Sequence, residues 1–209
     1  MQKVLRIKDA CIAIEGDKIV AVGTEAEVFA KHKANGASDA KGSKSSKNYE
    51  VIDAGGMLVT PGLVDPHTHL IFDGNRANEF LMRCQGKTYT EIAEAGGGIV
   101  ASMRATRSSP KERLVDLGRQ RLQRMLEAGT TTCEVKTGYG LDIDSELRML
   151  AAILELKHSC ASFIDIVPTF MPAHAIPPGE DRQHYIDHLI SDLISAASSM
   201  VTDSSNIYA

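Results

Sequence analysis

The sequence predicts an α/β protein whose strands run parallel and are covered by helices. From residue 61 onward, short apolar or β-branched runs alternate with amphipathic helical patterns, and the connections between them are short. Unusual polar residues stand directly after these strand-like runs, which is where the chemistry of such folds gathers. Before residue 61 the pattern changes to the period-two alternation of small β-structures. Two domains are therefore predicted, 1–60 and 61–209.

The N-terminal domain is predicted to begin with a β-hairpin. Apolar residues alternate on either side of Glu15-Gly16-Asp17 in the run "IAIEGDKIVAVG". A short helix is expected in "TEAEVFAKH". Residues 34–50 are rich in Gly, Ser, Lys and Asn and poor in large apolar side chains, which predicts an exposed loop. Extended structure then resumes in "VIDAGGMLVTPG", with a turn at Gly55-Gly56.

Three strand–helix units are predicted in the second domain. The strands are "GLVDPHTH", "TTTCEVK" and "FIDIVPTF", and the helices are "SSPKERLVDLGRQRLQRMLEAG", "DSELRMLAAILELKHS" and residues 182–197. In the first helix, we expect Ser109 as the N-cap, Pro110 in the first turn and Glu112 completing a capping box. Gly129 is expected to end that helix. The buried stripes are predicted to comprise Leu114, Leu117, Leu122, Met125 and Leu126 in the first helix and Leu147, Leu150, Ala151 and Leu154 in the second.

Composition excludes several classes of function. The 209 residues carry a net charge of -4, so there is no basic surface that would indicate nucleic-acid binding. No apolar run approaches the ~18 residues that a membrane span needs, and the N-terminus lacks the core of a signal peptide. The four cysteines, Cys11, Cys84, Cys133 and Cys160, are scattered without a CxxC pair. This use of cysteine predicts reduced core residues in a cytoplasmic protein.

Two histidines, His67 and His69, stand at the end of the first predicted strand. Residues two apart on a strand point to the same face, so both imidazoles would project together, with Asp65 one step below them. Two convergent neutral imidazoles can chelate a transition metal such as zinc or iron. The alternative is a pair of hydrogen-bonded or solvent-facing histidines. The position at a strand end favours the metal site.

The motifs around this pair resemble a known family. The segment "TPGLVDPHTHLIF" is similar to the first barrel strand of the amidohydrolase superfamily. Together with "GKTYTEIAEAGGGI", "LQRMLEAGTTTCEVKTGYGL" and "PTFMPAHAIPPG", it resembles the imidazolonepropionase family. The resemblance runs from about Ile52 to Pro178. It implies a partial (β/α)8 TIM-type barrel, about the first three βα units, preceded by a small, incomplete β-sandwich segment.

The resemblance implies a role for five residues. His67 and His69 correspond to metal ligands, with zinc or iron as the cofactor. Arg76 corresponds to the arginine that binds the substrate carboxylate, and its planar fork suits bidentate binding. Tyr139 and His174 correspond to substrate-binding residues, and Gly138 and Gly140 would let the backbone approach the ligand closely. Lys136 is interpreted as structural, and Gly96-Gly97-Gly98 as a tight loop without a ligand contact.

The implied reaction is hydrolysis of a cyclic amide. The substrate would be the small molecule 4-imidazolone-5-propanoate, opened to N-formimidoyl-L-glutamate in histidine degradation, with hydroxide supplied at the metal. No nucleic-acid or membrane partner is expected. The full-length protein could form a homodimer, which the sequence does not decide. Two alternatives stand beside this hypothesis: another cyclic amidohydrolase or deaminase of the same superfamily, and a non-catalytic fragment.

The sequence does not supply a complete catalytic site. A catalytic metal usually has three protein ligands, and the later-strand ligands and general base of the family have no counterpart here. Only three strands are predicted after Pro61, whereas a full barrel takes ~250 residues. His184 and His188 are expected to be solvated on an outer helix. The chain is therefore expected to be a truncated N-terminal half that is inactive alone.

Overall fold

The structure is a computed structural model, and it describes residues 6–33 and 50–205. The chain divides into two compact units, Met1–Thr60 and Pro61–Ala209, and each is described by itself. The exposed loop predicted at residues 34–50 falls almost entirely outside the described residues. Glu50, the one residue of it that is described, is exposed.

The first unit contains a two-stranded antiparallel hairpin. Strands β1 (Ala10–Glu15) and β2 (Lys18–Thr24) pair directly, and helix α1 (Glu25–Lys33) follows. Gly16 in the turn has φ +63°, a left-handed conformation that suits glycine. The predicted hairpin and helix are confirmed. Residues 51–60 contain the predicted turn at Gly55-Gly56 but no regular strand.

The second unit is built on a three-stranded parallel sheet. Its strands are β3 (Leu63–Thr68), β4 (Thr130–Lys136) and β5 (Asp165–Thr169), in the spatial order β3-β4-β5. Both pairings are parallel, as predicted. Parallel strands need helical crossovers, and β4 and β5 are each preceded by a helix that ends close to the strand. The carboxyl ends of all three strands therefore lie at one edge of the sheet.

Seven helices of the second unit lie within the described residues, together with a short 3-10 turn at Pro172–His174. They are α2 (Ala77–Cys84), α3 (Tyr89–Glu94), α4 (Ile99–Ser108), α5 (Lys111–Glu127), α6 (Ile143–Cys160), α7 (Arg182–His188) and α8 (Ile194–Ser205). A π turn, Leu189–Leu193, joins α7 to α8. None of the helices in residues 6–33 and 50–205 combines the length and apolar character needed to cross a membrane.

The core of this unit lies between the sheet and helices α5 and α6. Alternate residues of the strands, Cys133, Val135 and Ile166, face these helices and are fully buried. The helices contribute apolar side chains that are almost inaccessible to solvent: Leu114, Val115, Leu122, Met149, Ile153 and Leu156. Gly129, with φ +95°, ends the turn after α5 as predicted, so that β4 begins at the next residue.

Ser109 does not cap α5. Its hydroxyl donates to the Asp73 carboxylate (2.7 Å) and to the carbonyl oxygen of Ala105 (3.0 Å). The N-cap position falls instead on Pro110, and no side chain closes the first turn there. The predicted capping box with Glu112 was wrong because Ser109 is drawn into a contact with a residue far away in sequence.

The predicted buried stripe of α6 was also wrong in register. Leu150 is buried, whereas Leu147, Ala151 and Leu154 are only half-buried. The inward face includes Met149, Ile153 and Leu156 together with two polar residues, Ser145 and Glu146. An apolar run as continuous as "MLAAILEL" offers two neighbouring stripes, and the inward position of Glu146 selects the other one.

The helices α2, α3 and α4 were not predicted. They lie between β3 and α5, a stretch for which no element was predicted apart from a tight loop at Gly96-Gly97-Gly98. Thr88 and Glu91 form a reciprocal capping box at α3, a pattern that was present in the sequence. At the other end of the chain, helical structure continues to Ser205, past the predicted end at residue 197.

Candidate active site

Four aromatic rings meet at the carboxyl edge of the parallel sheet. His67 is the penultimate residue of β3, His69 follows the strand, Tyr139 lies after β4 and His174 lies after β5. The ring centroids of His69 and His174 are 4.4 Å apart and stacked. Tyr139 lies 5.0 Å from His69 and 5.4 Å from His174, and His67 lies 5.7 Å from His69. We call these four residues the ring cluster.

His69 is the member of the ring cluster with an unsatisfied polar atom. Its Nδ1 is buried and has no hydrogen-bond partner among the described residues. Burial, and after it the neighbouring His174, lower the pKa of His69 to about 4. The imidazole is therefore neutral at physiological pH, which is the form that a metal ligand requires.

The described residues fit only part of a metal site. His67 and His69 supply imidazole nitrogens on neighbouring positions, and the free Nδ1 of His69 suits a ligand. Within residues 6–33 and 50–205, however, no group of three His, Cys, Asp or Glu side chains is arranged to hold an ion. A catalytic metal usually has three protein ligands, so the role of His67 and His69 as metal ligands stays a prediction.

His174 is held by the loop that carries Tyr139. Its Nδ1 lies 2.9 Å from the carbonyl oxygen of Gly138. A carbonyl oxygen can only accept, so Nδ1 carries the proton and donates it, which leaves the Nε2 lone pair of neutral His174 free for a ligand. The interaction joins the loop after β4 to the turn after β5.

Gly138 and Gly140 are needed for contacts within the protein. Gly138 has φ +114°, and a Cβ there would lie 2.8 Å from the Cβ of His174. A Cβ on Gly140 would lie 2.7 Å from the backbone nitrogen of Glu146. The predicted role of these glycines in approaching a ligand is untested, whereas their approach to His174 and to the start of α6 is clear.

Arg76 makes its contacts away from the ring cluster. It stands at the N-cap position of α2, and its Nε donates to the hydroxyl of Ser102 on α4 (3.2 Å). Glu79 is 3.9 Å away and also accepts a hydrogen bond from the backbone nitrogen of Gly98 (2.7 Å). The Arg76 side chain is 41% exposed, so it is accessible from solvent. Its predicted role toward a carboxylate is not tested by these contacts.

Residues 50–120 match the model of the amidohydrolase family. The chain is 45% identical over 193 residues to the imidazolonepropionase of Chloroflexus aggregans and 44% identical over 200 residues to that of Alkaliphilus metalliredigens. These alignments cover 91% and 94% of this chain but only 42% and 44% of the relatives. The imidazolonepropionase of Symbiobacterium thermophilum is 43% identical over 199 residues, again with 44% of its length covered.

The chain is a relative of the imidazolonepropionases. The resemblance seen in its motifs is confirmed, and the chain spans less than half the length of these relatives. Amidohydrolases are hydrolases of TIM-barrel type and are generally metal-dependent. The described part of this imidazolonepropionase relative has a mixed α/β fold with a small parallel sheet.

Glu146 is a residue at this site that the sequence analysis missed. Its side chain is fully buried in the first turns of α6. The carboxylate accepts hydrogen bonds from the backbone nitrogens of Gly138 (3.0 Å), Gly140 (2.7 Å) and Leu141 (2.9 Å). An acidic residue shortly after a glycine-rich loop could have indicated this arrangement, because a carboxylate near consecutive free N–H groups tends to bind them.

Glu134 and Lys136 lie on the face of β4 opposite the helices. The ammonium of Lys136 contacts the Glu134 carboxylate at 2.5 Å, and Thr169 on β5 donates to the same oxygen. The hydrogen bond from Lys136, and then the one from Thr169, lower the pKa of Glu134. This pairing supports the structural interpretation of Lys136 in this imidazolonepropionase relative.

Arg121 binds the backbone of the segment between His69 and Arg76. Its Nη1 donates to the carbonyl oxygens of Leu70 (2.6 Å) and Phe72 (2.7 Å). The guanidinium carbon lies 3.7 Å from the centroid of the Phe72 ring, within the range of a cation–π interaction. Phe72 in turn packs edge-on against Tyr139, with centroids 5.9 Å apart. The ring cluster is thus continuous with the core.

The remaining histidine pair is separate from the ring cluster. His184 and His188 stack 6.3 Å apart on α7, and His188 Nδ1 lies 2.8 Å from a carboxylate oxygen of Asp192. Both histidines line a cavity of about 360 Å³ that also contains Tyr185 and Arg107 but none of the four ring-cluster residues. The interpretation of this pair as outer-helix residues is consistent with the 44% exposure of His188.

Proposed function

We propose that this chain forms part of an imidazolonepropionase that hydrolyses 4-imidazolone-5-propanoate to N-formimidoyl-L-glutamate in the cytoplasm. The observation that carries the proposal is the ring cluster, in which residues after three successive strands meet at one edge of the sheet. The identity of more than 40% to several imidazolonepropionases supports this choice of substrate.

The fold of the whole protein is part of the proposal. The unit from Pro61 onward would provide the first three strand–helix units of a (β/α)8 barrel, and the unit before it part of a small β-sandwich. Strands β3 and β5 each pair with only one neighbour among the described residues, so each has an edge onto which further strands could be added. The exposed side chains of Val64 and Val167 support such an addition, since they would become buried.

His67 and His69 would hold the metal ion, zinc or iron, with further ligands from outside the described residues. The metal, when bound, lowers the pKa of a coordinated water and polarises a carbonyl group. His69 suits this role because burial keeps its imidazole neutral. The mutual approach of the two rings to 5.7 Å supports a shared ion.

Tyr139, His174 and Arg76 would bind the substrate. The Nε2 of His174 can accept a hydrogen bond from a ring N–H of the imidazolone, because its Nδ1 proton is already committed to Gly138. Tyr139 offers a ring face beside His69 and His174 on which a planar substrate can pack. The half-exposed guanidinium of Arg76 can bind the propanoate carboxylate through two parallel hydrogen bonds.

Metal binding tests the first half of the proposal. The 209-residue chain is loaded with zinc or ferrous iron, and the bound metal is measured after dialysis. We expect one weakly held ion, because two ligands make an incomplete site. Replacing His69 with alanine should weaken binding at least about tenfold, a loss typical of metal-site mutations. His158→Ala removes an exposed histidine of α6 and is the matched control. Equal metal binding by the His69→Ala and His158→Ala variants would contradict the assignment.

Turnover tests the second half. We expect the chain alone to be inactive, and a chimera with the part of the Chloroflexus aggregans enzyme that it does not span to hydrolyse imidazolonepropanoate. In the chimera, Arg76→Ala should raise KM with a smaller effect on kcat, because a carboxylate contact away from the reacting bond is made in ground and transition states alike. Unchanged turnover by Arg76→Ala and Tyr139→Phe would favour another cyclic amidohydrolase or deaminase. Turnover by the chain alone would show that its site is complete.

A further inference from the structure

Glu146 buries a charged carboxylate close to the ring cluster without belonging to it. The side chain is inaccessible to solvent, and both of its oxygens are used. Burying a carboxylate is costly unless its charge is compensated by hydrogen bonds. Here the compensation comes from three backbone N–H groups of one short loop, residues 138–141. The loop, rather than a cation, is therefore the partner of this charge.

The loop is held from both sides. While Glu146 accepts from its N–H groups, Arg107 donates to the carbonyl oxygens of Gly140 (2.6 Å) and Leu141 (2.9 Å). Arg107 also pairs with Asp142 at 2.7 Å. The backbone of Leu141 has φ +56°, a left-handed conformation that strains a residue with a side chain. A strained residue persists only where its surroundings impose it, and the two charged side chains do so here.

The same loop fixes two members of the ring cluster. Tyr139 lies between two of the N–H groups bound by Glu146, so the orientation of those peptide planes sets the direction in which its side chain leaves the backbone. The carbonyl oxygen of Gly138 accepts the Nδ1 proton of His174, so the loop also selects the histidine tautomer. Glu146 accepts its hydrogen bonds from the loop and not from either ring, yet the placement of both rings depends on this loop.

We propose that Glu146 is a positioning residue that orients Tyr139 and holds His174 as the Nδ1–H tautomer, with Nε2 presented to the ligand. The negative charge of the carboxylate is essential to this role, because an uncharged acceptor binds three N–H groups less strongly. The consequence for ligand binding rests on the proposed function; the effect on loop and tautomer does not.

The test compares Glu146→Gln with Glu155→Gln, which removes an exposed carboxylate from the same helix. Nitrogen-15 NMR of the imidazole groups at about pH 8.5, well above the ordinary histidine pKa of about 6.5, reports the tautomer of neutral His174. We expect the Nδ1–H form to dominate in the unmodified chain and in Glu155→Gln, and to lose its dominance in Glu146→Gln. Amide exchange at Gly138, Gly140 and Leu141 should become about tenfold faster in Glu146→Gln alone, the effect of weakening one such hydrogen bond.

A purely structural role for Glu146 would lower stability without changing the tautomer, so an unchanged Nδ1–H population in a folded Glu146→Gln variant would overturn the proposal. Glu146→Asp retains the charge on a shorter side chain and should restore much of the tautomer population that Glu146→Gln loses. If neither variant folds, the unmodified chain still decides: a dominant Nε2–H tautomer of His174, or unprotected amides at Gly138 and Gly140, would overturn the proposal.

Ligand binding separates this inference from the proposed function. The probe is 3-(imidazol-4-yl)propanoate, a stable analogue that keeps the propanoate carboxylate of the expected substrate and replaces its imidazolone ring with an imidazole. We expect Glu146→Gln to weaken its binding and Glu155→Gln to leave it unchanged. If the unmodified chain does not bind the probe, the proposed substrate site fails, while the tautomer and exchange measurements still judge the role of Glu146. Equal binding by both variants would overturn the role in ligand presentation.

Discussion

At the scale of single residues, Gly138 meets two separate demands. Its φ of +114° lies in the region that only glycine adopts readily, and its missing side chain leaves room for His174 and for the carbonyl oxygen of Met171. Gly179 meets only the first demand: its φ is +87°, and no atom lies within 4 Å of the position a Cβ would take. The two residues therefore allow backbone strain to be separated from steric contact.

Replacing Gly138 with alanine should destabilise the second unit more than Gly179→Ala does. Left-handed backbone strain should lower the free energy of unfolding of both variants by about 1 kcal/mol. Gly138→Ala should lower it by about 1–3 kcal/mol more, because its Cβ is overpacked against His174. Urea unfolding of the two variants measures the difference. Equal losses would mean that the loop yields freely, and that the close approach of Gly138 to His174 does not constrain it.

The sequence patterns predicted residues of the ring cluster but did not predict Glu146, which binds the loop that carries Tyr139. His69, Tyr139 and His174 come together as the strand-end positions indicated. Glu146 was missed because an acidic residue in the first turn of a helix ordinarily stabilises the helix dipole from the surface. Its inward direction follows from the path of the preceding loop, which depends on contacts between distant residues.

At the scale of elements, helix α6 shows why an apolar segment does not define its own buried face. Leu156 is almost fully buried between the sheet and α5, whereas Leu154, two residues earlier, is only half-buried. The stripe predicted from the sequence contains Leu154. The true stripe is set by Glu146 at one end and Cys160 at the other, both of which face inward.

Replacing Leu156 with alanine should reduce the free energy of unfolding by about 2–5 kcal/mol, because a cavity forms in the core. Leu154→Ala makes the same chemical change at a half-buried position and should cost clearly less. Chemical denaturation with a common slope for both variants provides the comparison. A larger loss for Leu154→Ala would mean that the stripe inferred from sequence was the correct one.

At the scale of the whole second unit, Asp73 connects three parts of the chain. It follows β3, accepts from Ser109 at the end of α4, and pairs with Arg113 on α5 at 2.9 Å. The hydrogen bond from Arg113 is the main cause of a lowered pKa for Asp73, and Ser109 and Gly74 add to it. A carboxylate whose folded pKa lies below its unfolded value of about 3.9 stabilises the fold above that pH.

Asp73→Asn should therefore lower the free energy of unfolding near neutral pH by about 1 kcal/mol, a modest value because Arg113 is 56% exposed. The stabilisation is present above about pH 3.9 and is lost as the pH falls toward the folded pKa, so the two proteins should converge in acid. Urea unfolding across this pH range measures it, with Glu112→Gln in the first turn of α5 as the control. A difference that is independent of pH would show that the charge of Asp73 is not what stabilises the fold.

The architecture of this unit was largely predictable, and its detail was not. Parallel order, strand positions and helices α5 and α6 follow from hydrophobic period and short connections, which are local properties. The helices α2 to α4 were missed because glycine, threonine and basic residues give weak periodicity there, and their stability comes from contacts such as Arg76 with Ser102. A third metal ligand was not predicted from the sequence, and the described residues contain no group of three possible ligands.

The π turn between α7 and α8 affects how the buried residues of the two helices line up. Tyr185, Leu189, Leu193 and Ala197 recur every four residues and are all buried. In a regular α-helix each such step drifts by about 40°, so the last residue would turn well away from the first. The π turn, Leu189–Leu193, takes up part of this drift because it places more residues in a turn than an α-helix does. Removing a single codon, that of the exposed Ile190, would leave the spacing i, i+4, i+7, i+11, the stripe of a regular amphipathic helix.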